Sequence, residues 1–107
     1  MKRGDFLTIV SPGAYGKPRP ALVVQADAFD AIPSVTVLPL TSEIHDAGLV
    51  RITVQPTLEN GLRVTSQVMI DKAITTPRTK VGEVIGCADE ATLHLVGAAL
   101  GRFLGLS

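Results

Sequence analysis

Short β-forming runs separated by turn residues fill the first three quarters of this chain of 107 residues, and they restrict its fold more than any other feature. Each run is rich in β-branched and aliphatic residues and is followed by turn formers such as proline, glycine or serine, which is typical of short strands joined by turns. Five strands are predicted, over residues 5–10, 19–25, 35–41, 49–55 and 65–74. Residues 26–31 are predicted to form one helical turn.

The pattern inside each run predicts which faces are buried. Residues 21–24 read ALVV, a continuous apolar stretch that suits a strand buried on both faces. In the fourth run, Val50, Ile52 and Val54 alternate with polar residues and share one face. Pro39 cannot donate a backbone hydrogen bond, so part of the third strand is predicted to lie at an edge or a bulge. In the fifth run, the alternation puts Val68 and Ile70 on one face and Gln67, Met69 and Asp71 on the other.

The last segment changes its period and predicts a helix. Asp89 is a suitable N-cap, and apolar residues then recur at helical spacing, namely Leu93, Val96, Leu100, Phe103 and Leu104. Gly97 and Gly101 each weaken such a helix by about 1 kcal/mol relative to alanine, so close packing or a partner is expected to justify them. Five strands and one terminal helix predict a single domain over residues 1–107, built as a small, mostly antiparallel barrel or curved sheet.

Composition excludes several classes of protein. Ten acidic residues balance ten basic ones, so any contact with nucleic acid must use a local patch rather than bulk charge. Cys87 is the one cysteine, which excludes an internal disulfide and disfavours a cysteine-based zinc site. No apolar run approaches the roughly 20 residues that span a bilayer, and no leader opens the chain, so a cytoplasmic protein is expected.

Two polar groups of residues at strand ends predict a site. In the stretch GKPRPALVVQ, the prolines on both sides of Arg19 stiffen the backbone just before a buried strand. In LPLTS, Thr41 and Ser42 follow an apolar strand. A guanidinium can fork onto a phosphate, and hydroxyls can donate to the same anion. RNA supplies its own nucleophile, the 2′-hydroxyl, so such a site could cleave it without a metal or any other cofactor.

Structural roles remain open for the same residues. Arg19 could cap a sheet edge or pair with Asp5 or Asp27, and a Thr-Ser pair at a strand end often makes a turn. His45, in the loop SEIHDAG, is either a surface residue or part of the site. His94 is expected to be structural or exposed on the helix.

Several segments together resemble one known family. In order, the chain carries KRGD, GKPRPALVVQ, LPLTS and GLRVTSQVMIDKAIT, followed by the amphipathic helix, and this series is similar to the PemK/MazF toxins of bacterial toxin–antitoxin pairs. The resemblance implies an SH3-like half-open β-barrel of the CcdB/PemK/MazF type with a C-terminal helix, assembled as a homodimer. It also implies a metal-independent, sequence-specific endoribonuclease that acts on single-stranded mRNA and leaves a cyclic phosphate and a 5′-hydroxyl.

The resemblance assigns roles to three residues. Arg19 would stabilise the pentavalent phosphorane and could donate a proton, and Thr41 would bind or orient the scissile phosphate. Asp71 matches the acid on the fifth strand that some members use as general base. Met69 replaces an arginine that some relatives carry two residues before that acid, and the first loop lacks the histidine found in others.

Further residues are expected to contact RNA. Tyr15 could stack on a base or pack across its own loop, and Lys17 is expected to grip the flanking backbone. Ser42, His45 and Ser66 complete the predicted RNA-binding set.

The family resemblance also implies a protein partner. An antitoxin of this family lays an acidic or apolar segment over the toxin dimer and its RNA groove. Two other functions stay open from the sequence. The first is a CcdB-like gyrase poison, because the C-terminal residues FLGLS loosely resemble the C-terminal signature of CcdB. The second is a small barrel that serves only as an interaction module.

Overall fold

The computed structural model describes residues 1–10, 17–46 and 48–106. Its strands are β1 (Asp5–Ile9), β2 (Arg19–Val23), β3 (Ser34–Thr41), β4 (Arg51–Val54), β5 (Ser66–Met69), β6 (Ile74–Pro77) and β7 (Val81–Cys87), and its helix is α1 (Glu90–Phe103). Short 3₁₀ turns cover Asp27–Phe29, Gly48–Val50, Ile70–Lys72 and Arg78–Lys80. The first four predicted strands and the helical turn after β2 are confirmed with small shifts of their ends.

All strand pairs within these ranges are antiparallel, and the strand order is β4-β5-β3-β2-β1-β7, with β6 paired to β3. Among the described residues β4 and β7 do not pair, so the sheet curves without closing. This arrangement, together with the C-terminal helix, confirms the predicted half-open barrel.

The strand β3 lies inside the sheet, which corrects the prediction made from Pro39. One side of β3 pairs with β2, where Pro39 lies opposite Ala21. On the other side, residues 34–37 pair with β6 and residues 40–41 pair with β5, so Pro39 falls in the gap between the two partners. A proline is tolerated at this position because no backbone hydrogen bond from its nitrogen to a neighbouring strand is needed in the gap.

Two apolar cores cover the two faces of the sheet. The core on the helix side includes Phe6, Leu22, Val68 and Ile70, and Val96 of α1 packs into it. The core on the opposite side consists of Leu7, Ile9, Ala21, Val23, Val35 and Val37. Because adjacent residues of β2 enter different cores, the prediction that this strand is buried on both faces is confirmed.

The predicted fifth strand is wrong in its second half, and two strands, β6 and β7, were not predicted. The chain leaves β5 after Met69, forms the 3₁₀ turn Ile70–Lys72, and then starts β6, which pairs with a different part of β3. The second unpredicted strand, β7, pairs with β1 through register shifts. The glycines of β7 made this segment resemble a turn in the sequence. A Cβ on Gly82 would lie 2.2 Å from Thr8 Oγ1, so glycine is required there because β1 and β7 approach closely, and not because the chain turns.

The helix begins as predicted but is buried over less of its length. Asp89 Oδ1 accepts a hydrogen bond of 2.7 Å from the Thr92 backbone, which confirms the N-cap. Val96 and Ala99 are buried, whereas Phe103 is 50% exposed and Leu104 is 56% exposed. Besides the core, α1 packs mainly against residues 48–54 and 70–72, and its last apolar residues are largely exposed.

Gly97 of α1 lies against the N-terminal segment of the chain. A Cβ on Gly97 would lie 3.2 Å from Nη2 of Arg3, which is the end of a flexible side chain, so Gly97 packs closely against the N-terminal segment but is not strictly required there. Within the described ranges, no helix has the length and apolar character needed to cross a membrane.

Candidate active site

Four of the predicted site residues line one cavity of about 110 Å³. Arg19 comes from the start of β2, Thr41 and Ser42 from the end of β3, and Ser66 from the start of β5; Pro20, Leu40 and Val64 complete the lining. The antiparallel pairing explains why they meet, because Ala21 lies opposite Pro39 and Thr41 lies opposite Gln67. The same register extended by two residues places Arg19 opposite Thr41.

The Arg19 side chain is exposed and forms no hydrogen bond or ion pair with any other described residue. The alternative partners considered from the sequence are engaged elsewhere. Asp5 Oδ2 accepts a hydrogen bond of 2.8 Å from the Lys2 backbone, and Asp27 Oδ1 accepts one of 2.7 Å from the Arg3 backbone. A guanidinium at the edge of a cavity with all its donors available is suited to bind an anion.

The hydroxyls in the cavity have different local roles. Thr41 Oγ1 accepts a hydrogen bond of 3.1 Å from the Glu43 backbone, so the predicted turn role is correct. The Thr41 hydroxyl proton remains free to donate, because only its oxygen is used in that bond. Ser66 Oγ donates to the Val64 carbonyl oxygen at 3.0 Å and is therefore left as an acceptor, while Ser42 is exposed. Turn formation and anion binding are therefore compatible at Thr41.

Gln67 is buried beside this cavity and was not predicted from the sequence. Its Oε1 accepts from the His45 backbone at 3.1 Å, and its Nε2 donates to the His45 carbonyl oxygen at 2.9 Å and to Thr53 Oγ1 at 3.3 Å. The alternation in the fifth run had placed Gln67 on the face away from the core, but only 3% of it is exposed. A lone glutamine carries no motif, so the sequence offered no signal for this role.

Asp71 lies in the 3₁₀ turn after β5 rather than on a strand, which corrects the predicted position. Its Oδ1 accepts a hydrogen bond from Arg51 Nη1, and its Oδ2 is 3.5 Å from Lys72 Nζ. Partial burial alone would raise the pKa of Asp71, but hydrogen bonds from Arg51 and its own backbone, and the charges of Arg51 and Lys72, together lower it below 3.8. Asp71 is not among the residues that line the cavity.

The other described residues of the predicted site, Lys17 and His45, do not line the cavity. Lys17 is exposed two residues before Arg19, and the His45 side chain is 63% exposed, with Nε2 3.9 Å from Glu43 Oε2. Tyr15 lies outside the described residues. His94 is exposed on α1, in agreement with the prediction.

A larger cavity of about 500 Å³ lies elsewhere, between the end of β4 and the start of α1. Its lining includes the carboxylates of Glu59 and Asp89 and none of the predicted site residues. Carboxylates repel a phosphate, so size alone does not make it the better candidate. Within residues 1–10, 17–46 and 48–106, no three His, Cys, Asp or Glu side chains are grouped so that they could hold a metal ion.

The fold defines the class of small half-open β-barrels with a C-terminal helix, and Arg19 shares a cavity at the strand ends with the hydroxyls of Thr41, Ser42 and Ser66. Residues 2–104 match the family of PemK-like, MazF-like toxins of type II toxin–antitoxin systems, and the chain belongs to this family. The resemblance seen in the sequence is thereby confirmed, and the toxin function it implied is favoured over a CcdB-like gyrase poison.

Individual proteins similar to this chain agree with the family. The probable endoribonuclease MazF of Mycolicibacterium smegmatis is 45% identical over 108 residues, which cover 100% of this chain and 99% of the relative. The solved structure of Mycobacterium tuberculosis toxin MazF-mt6 has a TM-score of 0.80 at 24% identity, covering 98% of this chain and 99% of that one. A MazE–MazF crystal structure from Deinococcus radiodurans has a TM-score of 0.80 at 24% identity, covering 100% and 97%. The two structures establish the shared fold.

Proposed function

We propose that this chain is the toxin of a type II toxin–antitoxin pair and cleaves single-stranded mRNA as a sequence-specific endoribonuclease. The observation that carries the proposal is the Arg19 guanidinium, which has no partner among the described residues and lines one cavity with the Thr41 hydroxyl. Support also comes from the 45% identical relative that is named a probable endoribonuclease.

The proposed reaction uses a nucleophile that the RNA supplies. The 2′-oxygen attacks the adjacent phosphorus, the bond from phosphorus to the 5′-oxygen breaks, and the products are a cyclic phosphate and a 5′-hydroxyl. The 2′-proton passes to a base, and the departing 5′-oxygen takes up a proton. Arg19 stabilises the added negative charge on the phosphorane, and Thr41 donates its hydroxyl proton to a phosphate oxygen. The cycle needs no metal ion, so cleavage is expected to persist in EDTA.

The proposed mechanism requires a proton acceptor for the 2′-hydroxyl. Asp71 as general base stays a prediction from the family resemblance. Its carboxylate is engaged by Arg51 and Lys72, and its lowered pKa makes it a weaker base than a free aspartate. Ser42, Ser66, His45, Lys17 and Tyr15 stay predicted contacts to the RNA around the scissile phosphate.

An antitoxin partner, a homodimer and a cytoplasmic location are part of the same proposal. One structural neighbour is an endoribonuclease in complex with its cognate antitoxin from a mycobacterial species, and family membership supports such a partner for this chain. Exposed apolar side chains along α1 and just beyond it support self-association; these are Leu95, Phe103, Leu104 and Leu106. A toxin that acts on mRNA is expected to work in the cytoplasm.

The proposal is tested by incubating the purified protein with a long single-stranded RNA in EDTA. Discrete fragments with cyclic phosphate and 5′-hydroxyl ends are expected from the wild type. Arg19→Ala is expected to lower kcat by about 10²–10³-fold, as when one electrostatic donor to a transition state is removed. Arg102→Ala is the matched control, because it removes the same charge from an exposed site on α1. Equal cleavage by Arg19→Ala, or intact RNA together with trapped gyrase–DNA complexes, would contradict the proposal.

A further inference from the structure

Gln67 holds a loop that begins at the candidate active site. The loop of residues 42–46 leaves β3 directly after Thr41 and returns over β5, where His45 meets the Gln67 amide. That amide pairs with both the N–H and the C=O of His45, as a neighbouring strand residue would. Backbone groups of the loop are thereby tied to a buried side chain at a single residue.

The position of Gln67 connects this loop to the cavity walls. Gln67 follows Ser66 along β5 and lies opposite Thr41 in the sheet, and both neighbours line the cavity. Ser42, at the start of the loop, lines the cavity as well. A change in the Gln67 amide is therefore expected to alter the loop that carries the predicted RNA contacts Ser42 and His45.

We propose that Gln67 is a positioning residue, which fixes the loop of residues 42–46 in its RNA-binding conformation and thereby sets the affinity for single-stranded RNA. The inference rests on the proposed ribonuclease function. Gln67 touches none of the reacting atoms, and it acts through the backbone of His45. Loss of the amide is therefore expected to weaken RNA binding more than it slows the chemical step.

The chain contains a matched control for this inference. Gln25 also ties down a loop with its side-chain amide: its Oε1 accepts from the Thr36 backbone at 3.1 Å, and its Nε2 donates to the carbonyl oxygens of Phe29 and Ser34 at 3.2 and 3.3 Å. Gln25 lines no part of the candidate cavity. Gln25→Met and Gln67→Met thus remove similar sets of hydrogen bonds, one away from the cavity and one beside it.

The test measures steady-state cleavage of a short RNA that contains one cleavage site. If the freed loop occupies its binding conformation about a tenth of the time, KM rises about tenfold in Gln67→Met. The kcat value is expected to stay within about twofold, whereas a partly unfolded preparation would lower kcat and leave KM unchanged. Gln25→Met is expected to keep the wild-type KM.

Amide hydrogen exchange gives a readout that does not depend on activity. The His45 amide is expected to lose protection in Gln67→Met and to keep it in Gln25→Met, with the reverse result for the Thr36 amide. If Gln67→Met does not fold, Gln67→Glu replaces it, because it keeps the shape and the acceptor oxygen but cannot donate to the His45 carbonyl when ionised. The same rise in KM is then expected.

Two outcomes overturn the inference and are distinct from failure of the proposed function. A Gln67 variant that cleaves RNA with an unchanged KM shows that the loop does not contribute to binding. An unchanged exchange rate of the His45 amide shows that Gln67 does not hold the loop. If the wild type itself cleaves no RNA, the proposed function fails, and the exchange result still decides whether Gln67 holds the loop.

Discussion

Replacement of Asp71 by asparagine separates a structural ion pair from a general base. The substitution keeps the shape of the side chain and removes the charge that Arg51 and Lys72 contact. Only 14% of the Arg51 side chain and 25% of the Asp71 side chain are exposed, so the pair lies between a surface pair and a buried one. Surface pairs contribute about 0–1 kcal/mol, and breaking a buried pair costs about 3–5 kcal/mol.

We expect Asp71→Asn to lower the free energy of unfolding by about 2 kcal/mol, between those two limits. The buried Nε of Arg51 lacks a hydrogen-bond partner among the described residues, so once the carboxylate charge is gone the guanidinium keeps mainly its hydrogen bond of 3.0 Å from Nη1 to the Val50 carbonyl oxygen. With a urea m-value of about 1–3 kcal/mol/M, the midpoint of unfolding is expected to fall by about 1 M. Far-ultraviolet circular dichroism measures this midpoint, since the chain has no tryptophan.

Asp30→Asn is the matched control for this experiment. It makes the same chemical change at an exposed aspartate whose carboxylate has no partner among the described residues. Its unfolding free energy is expected to stay within about 0.5 kcal/mol of the wild type.

The pH dependence of the Asp71 contribution has a definite sign. The folded-state pKa of Asp71 lies below 3.8, so the unfolded state binds a proton more readily. The difference in unfolding free energy between wild type and Asp71→Asn is therefore expected to be complete at neutral pH. It should shrink as the pH falls below about 4 and through the folded-state pKa.

RNA cleavage by Asp71→Asn tests the alternative that Asp71 is the general base. If Asp71 is mainly structural, kcat of the folded Asp71→Asn protein falls less than that of Arg19→Ala. An unchanged unfolding midpoint combined with a loss of kcat of about 10²-fold or more would refute this reasoning and identify Asp71 as the base.

Two stability predictions concern the turn of residues 55–62. Asn60 is buried, and its side chain forms hydrogen bonds with two backbone N–H groups and one carbonyl oxygen of this turn. Asn60→Ala is therefore expected to lower the free energy of unfolding by about 2–4 kcal/mol, as measured by urea denaturation. A loss below about 1 kcal/mol would show that water replaces the amide. Gly61 has a φ of +69° and a Cβ there would lie 2.0 Å from the Ile85 carbonyl oxygen, so Gly61→Ala is expected to lower the melting temperature more than Gly48→Ala, which has open space around it.

The sequence predicted the fold where pattern and packing agree. The burial of β2 on both faces and the N-cap at Asp89 follow from local residue types and were correct. It failed at β7, where glycines serve close approach between strands, and at Pro39, where a change of partner strand tolerates the proline. Both depend on pairing between segments distant in the chain, which local periodicity does not contain.

The site was predictable in part for the same reason. Arg19 and Thr41 carry local signals, stiffening prolines in one case and a strand end in the other, and the structure brings them together with Ser66. Gln67 acts through the backbone of a loop more than 20 positions earlier in the chain, and no residue type marks such a bond in advance. The ion pair of Asp71 with Arg51 likewise joins elements that only the folded sheet makes neighbours.

The packing of β1 and α1 into one core has a consequence for how this protein folds during its synthesis. All the described residues that line the candidate cavity have been synthesised once the ribosome has passed Ser66. The core that supports them, however, contains both Phe6, near the beginning of the chain, and Val96, near its end. At the usual rate of synthesis, about 5–20 residues per second, these two residues are made roughly 5–20 s apart. A nascent chain therefore lacks a rigid site until translation is nearly finished. A neutralising partner that is made during this interval is already present when the site forms.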